Sequence, residues 1–81
     1  MNVRLTAQQR QVVVLAANGY SNTQIGQRLG ISRHTVDRHL TNIYLELGVR
    51  DRAQAVTILT VTGVLGPADI RIPYQQQEQV A

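Results

Sequence analysis

The chain contains no cysteine, so neither disulfides nor thiolate metal sites can form. Lysine is missing as well, and all eight basic residues are arginine. Arginine's planar fork suits bidentate contact with guanine or phosphate, but a gene rich in G and C gives the same bias, and we favour that as its main cause. No run of about 18 apolar residues is present to span a membrane, and the N-terminus has no signal-peptide pattern. The expectation is a soluble protein of a bacterial-type cytoplasm. The two histidines, His34 and His39, lie five positions apart in one helical pattern and so point about 140° away from each other, which denies them the shared face of a metal pair. No nucleophile, base and orienting group form a recognisable set, and no glycine-rich phosphate loop follows a strand. The sequence therefore predicts no enzymatic role, no cofactor and no metal.

The 81 residues give one small domain, with a formal net charge of +3 and a pI near 10.2. A basic balance favours a polyanionic partner, yet this modest charge is common in domains that never meet nucleic acid, so charge alone does not decide. A chain of about 60 ordered residues buries only about 60% of its unfolded surface. A dimer would add the missing burial.

The informative segment is SNTQIGQRLGISRHTVDRHLTNIYLELGV, Ser21 to Val49. Ser21 with Gln24 three residues on is the spacing of a capping box, so a helix should begin at about Asn22. Ile25 and Leu29 share its apolar face, and Gly26 beside them leaves room for a close helix crossing, since glycine inside a helix otherwise costs about 1 kcal/mol against alanine. Gly30 suits the left-handed conformation that ends a helix, and Ser32 starts the next. Two helices separated by Gly30-Ile31-Ser32 describe a helix-turn-helix, whose second helix fits a DNA major groove.

That second helix shows Val36, Leu40, Ile43 and Leu47 as one apolar stripe. Arg33, His34, Asp37, Arg38, Thr41 and Asn42 project away from the stripe in its first three turns, the part a recognition helix presents to base edges. An ordinary solvated face is the bland alternative, and the coincidence of short turn, caps and basic bias weighs against it.

Flanking segments complete an all-α pattern. Thr6 with Gln9 repeats the capping-box spacing, predicting a first helix over about 7–18 that stops at Gly19. Its run Val12-Val13-Val14-Leu15 is β-branched and locally ambiguous, but the flanking caps and the following alanines favour helix. Tyr20 reads as a core or rim ring rather than a platform for bases. Gly48 should close the third helix, and Asp51, with Gln54 three residues on, should cap a fourth over about 52–62. There Ala55, Val56 and Leu59 face the body of the domain, while Ile58, Val61 and Leu65 form a second apolar row that suits a dimer seam, the bland alternative being that both rows are core. Residues 1–4 form a short N-terminal arm, and residues 66–81 an irregular C-terminal tail, with Pro73 and three consecutive glutamines. In that tail Ile70, Ile72 and Tyr74 alternate with other residues and would suit a short strand-like contact with the domain or a partner.

Leu5-Thr6, Val12, Gly19, Ser21-Asn22, Ile25, Leu29-Gly30-Ile31-Ser32, Thr35-Val36, His39, Ile43, Leu47-Gly48-Val49, Arg52 and Ala55-Val56 together resemble the LuxR/GerE-type helix-turn-helix domain over roughly residues 5–65. The resemblance implies a four-helix DNA-binding domain whose third helix reads the major groove and whose fourth pairs two subunits. Carried over, it gives a DNA-binding set of Asn22, Thr23, Ser32, Arg33, His34, Thr35, Asp37, Arg38, His39, Thr41 and Asn42, and a dimer seam of Ile58, Val61, Thr62 and Leu65. The sequence departs from the family where Gln9 stands for a usual Glu, and where Thr23, Asp37 and Glu46 stand for usual lysines. Two of those exchanges place an acid where a base would face DNA. Asp37 would then accept from a cytosine amino group or hold Arg33 or Arg38 in place, and either role implies a different operator.

The sequence thus reads as a stand-alone transcriptional regulator binding a partly palindromic double-stranded DNA site as a homodimer, with the tail offered to a protein partner. Two alternatives share its features. One is a module like the promoter-reading part of an RNA polymerase sigma factor. The other is a protein-interaction module that uses the same apolar helix and tail.

Overall fold

Side-chain caps set the start of every α-helix. In the computed structural model, which describes residues 3–71, these are α1 (Ala7–Ala17), α2 (Asn22–Leu29), α3 (Arg33–Leu47) and α4 (Arg52–Val61), followed by a single 3-10 turn at Pro67–Asp69. The reciprocal capping boxes expected at Thr6 and Ser21 are both formed: Gln9 N–H donates to Thr6 Oγ1 at 3.1 Å and Gln24 N–H to Ser21 Oγ at 3.2 Å, and each glutamine side chain accepts in return. At α4 the box is altered. Asp51 accepts from Gln54 N–H at 3.0 Å, but the Gln54 side chain reaches past it to the Arg50 N–H at 2.8 Å. None of the described helices is long and apolar enough to cross a membrane.

α3 lies at the centre and packs on the other three helices. Its stripe is buried as the spacing predicts, and it divides between two clusters. Val36 and Leu40 pack with Val12 and Ala16 of α1 and Ile25 of α2. Ile43 and Leu47 pack with Val13 of α1, Ala55 and Leu59 of α4, and Leu65. The half-buried Tyr44 touches both clusters. This division explains the ambiguous β-branched run of α1: Val12 and Val13 are adjacent in sequence, so α1 must be apolar over a wide arc to serve two cores at once. Tyr20 is a rim ring against the first cluster, with the Arg28 guanidinium 4.3 Å from its centroid.

One expectation needs correction. Leu65 was grouped with the exposed row, but it is only 2% exposed and belongs to the core. α4 ends at Val61 and Gly63 takes a positive φ of 82°, so the chain turns back and the helical period no longer applies at residue 65. The tail was expected to be irregular from Gly66, with a contact to the domain or a partner. Residues 66–71 form one 3-10 turn and otherwise non-regular backbone tied to α1. Arg10 pairs with Asp69 at 3.1 Å, the Asn18 side-chain amide donates to the Asp69 carbonyl at 2.8 Å, and the Asn18 oxygen accepts from the Arg71 N–H. The Gly66 N–H at 2.8 Å, and after it the Arg10 guanidinium, hold the Asp69 carboxyl below its ordinary value of 3.8. At the other end the arm already packs by Val3, which lies against the second core with Leu5. Ile72 and Tyr74, and the partner contact expected of them, lie outside the described residues.

Candidate nucleic-acid interface

The turn between α2 and α3 is held by two glycines. Gly30 takes φ 70°, ψ 31°, the left-handed conformation in which the Ile31 N–H reaches back to the Gly26 carbonyl at 3.0 Å. Gly26 is buried, and a Cβ built there would lie 2.6 Å from the Ile31 carbonyl oxygen. The backbone of the turn therefore rests directly on α2. Ser32 then caps α3, accepting from the Thr35 N–H at 3.0 Å, and the two hydroxyls share a further bond at 2.9 Å.

This arrangement leaves the first three turns of α3 free on one side. His34, Asp37, Arg38, Thr41 and Asn42 line one shallow surface depression. Arg33 flanks it, its side chain 69% exposed, and Thr23 is exposed on the first turn of α2. Leu45, one turn beyond Thr41, continues the same outer face and is 74% exposed. Sequence reasoning passed over Leu45, although a leucine outside the stripe of a strongly periodic helix was the signal for it.

Three residues of the expected set have other commitments. Asn22 is half-buried and turned inward, its amide nitrogen donating to Asp37 Oδ1 and its oxygen accepting from Arg52 Nη2 at 2.7 Å. Arg52 also donates to the Tyr20 carbonyl at 2.6 Å. A relay therefore runs from the start of α4, through the start of α2, to the exposed side of α3. His39 sits beside α1, its Nε2 paired with Gln8 Oε1 at 3.0 Å. Asp37 keeps its second oxygen at 3.9 Å from Arg33 Nε, one turn earlier. Sequence reasoning had given Arg52 and Gln8 no part in the interface. Both act across more than 29 residues of chain, where no local spacing relates them to their partners.

Gly48, Val49, Ala53, Gln54, Thr57 and Ile58 line a second shallow groove along α4, and Val61 at the end of that helix is 79% exposed.

Comparison with known proteins places these features in a family. Residues 3–59 match the family described as bacterial regulatory proteins, luxR family. The chain is 52% identical over 54 residues to the "Probable transcriptional regulatory protein SgaR" of Hyphomicrobium methylovorum, an alignment covering 67% of this chain and 26% of that protein. It is 41% identical over 58 residues to the "Putative HTH-type transcriptional regulator YhjB" of Escherichia coli (strain K12), covering 72% of this chain and 29% of that one. Against the "Transcriptional regulatory protein DegU" of Brevibacillus brevis it is 46% identical over 52 residues, 64% of this chain and 22% of that one. The chain thus matches between about a fifth and a third of the length of these relatives.

Proposed function

Since the chain belongs to the luxR family of bacterial regulatory proteins, we propose that it is a helix-turn-helix DNA-binding transcriptional regulator that reads DNA by laying α3 in the major groove. The observation that carries this reading is the exposed polar side of α3, where His34, Asp37, Arg38, Thr41 and Asn42 line one depression while the opposite side is buried in two cores. A helix about 10–12 Å across fits a major groove about 12 Å wide. The middle of the exposed side then meets base edges. Ser32 and Thr35 at the helix start, and His39 on the flank toward α1, lie where phosphates run.

Two copies bind a partly palindromic site, paired through α4. Val61 is exposed, Ile58 is half-buried beside an apolar groove, and Thr62 extends the same surface. The seam is therefore Ile58, Val61 and Thr62, without Leu65.

Titration of bound DNA against salt tests the reading. Fragments selected from a genomic library, bound by the full chain and followed by fluorescence anisotropy, should show log affinity falling linearly with log salt, by about 0.9 for each phosphate neutralised. Failure to retain any fragment, or an affinity indifferent to salt, would overturn it.

A further inference from the structure

We infer that Asp37 reads the amino group of a cytosine in the major groove, and that Asn22, held by Arg52, is the positioning residue that aims it. This rests on the placement of α3 proposed above. An acid on a DNA-facing surface is costly unless it meets a donor, because phosphates and most major-groove atoms repel it. In that groove guanine offers only acceptors and thymine an acceptor and a methyl group, while adenine sets an acceptor beside its amino group. Cytosine alone presents a donor with no acceptor next to it, so a carboxylate discriminates in its favour.

The structure equips Asp37 for this in three ways. The residue lies within the depression that forms the outward side of α3, its side chain 44% exposed. Its Oδ1 is occupied by the Asn22 amide, which tethers that end of the carboxylate. Its Oδ2 has Arg33 Nε 3.9 Å away, beyond ordinary hydrogen-bond reach, so among the described residues that oxygen has no hydrogen bond. Asn22 cannot swing away freely, since its own oxygen is held by Arg52, which is anchored in turn to the Tyr20 carbonyl. An aspartate that merely neutralised Arg33 would not need this three-residue brace.

Selection from a randomised duplex library, with the full chain, provides the test. The parent should show one position in each half-site where C·G is preferred by about 5- to 150-fold, the range of one good side-chain–base pair. Asp37→Asn keeps an oxygen for Asn22 but replaces the remaining acceptor with an amide donor, so that one position should lose its preference for C in favour of a base that offers an acceptor, guanine above all, and the rest should stay. Asn22→Ala should relax the same position without creating a new preference. Arg33→Ala should relax a different one. Identical site preferences for the parent and Asp37→Asn would overturn the inference while leaving groove reading by α3 intact. A parent that selects no site would overturn both. If circular dichroism shows Asn22→Ala to be unfolded, Asp37→Asn decides alone.

Discussion

At the scale of single residues, the chain places most weight on Gly26. Replacing a glycine inside a helix by alanine ordinarily gains up to about 1 kcal/mol. Here the added methyl would sit 2.6 Å from the Ile31 carbonyl oxygen, a backbone atom that cannot rotate aside. Overpacking of this kind costs about 1–3 kcal/mol, so Gly26→Ala should lower the urea midpoint at an unchanged slope. A variant as stable as the parent would mean that the turn opens to admit the methyl. Gly26 was legible from sequence because its neighbours Ile25 and Leu29 mark the buried face on which it lies. Asn22 was not. The family resemblance gave it as a DNA contact, whereas its amide nitrogen is taken up by Asp37 and its oxygen by Arg52, the latter 30 positions away. No reading of composition or period brings those three together.

Elements were more legible than single residues wherever a period and a cap agreed. The stripe of α3 is buried from Val36 to Leu47, and its start and end fall on Ser32 and Gly48 as their capping chemistry requires. α4 shows where this reasoning stops. Continuing its period past the helix end wrongly put Leu65 on the surface, because a row of apolar spacings does not reveal that the backbone reverses at Gly63. Ile58 and Val61 still lie within the helix and keep their place in the proposed seam. A carboxylate introduced at a two-fold seam meets its own symmetry mate in an apolar setting, whereas the same change on a free surface is usually within about 0.5 kcal/mol of neutral. Val61→Asp is therefore expected to give a folded monomer in sedimentation, with much weaker binding to a palindromic site. A variant that sediments as a dimer like the parent would remove α4 as the seam.

At the scale of the whole molecule, α3 is held from both ends by two small cores, and the segment after α4 closes the structure by returning across α1. That return was only weakly signalled in the sequence, by the alternation around Ile70, because it uses few apolar side chains: beyond Leu65 it consists of a 3-10 turn, an ion pair and side-chain bonds to backbone, none of which has a periodic signature. Asn18 is its hub, bonding at once to the Val14 carbonyl, the Asp69 carbonyl and the Arg71 N–H. Each such hydrogen bond contributes about 0.5–1.5 kcal/mol net, and in a domain this small 1 kcal/mol shifts the melting point by about 4–8 °C. Ending the chain at Leu65 should therefore lower the melting temperature by roughly 5–10 °C while leaving the four α-helices in place by circular dichroism. Asn18→Ala in the full chain should cause a fall of similar direction and smaller size. Combining the two should give less than the sum, since both remove the same bonds to Asp69 and Arg71 and coupled sites are not additive. A truncated chain that melts with the parent, or strict additivity between truncation and Asn18→Ala, would show that residues 66–71 rest on α1 without stabilising it.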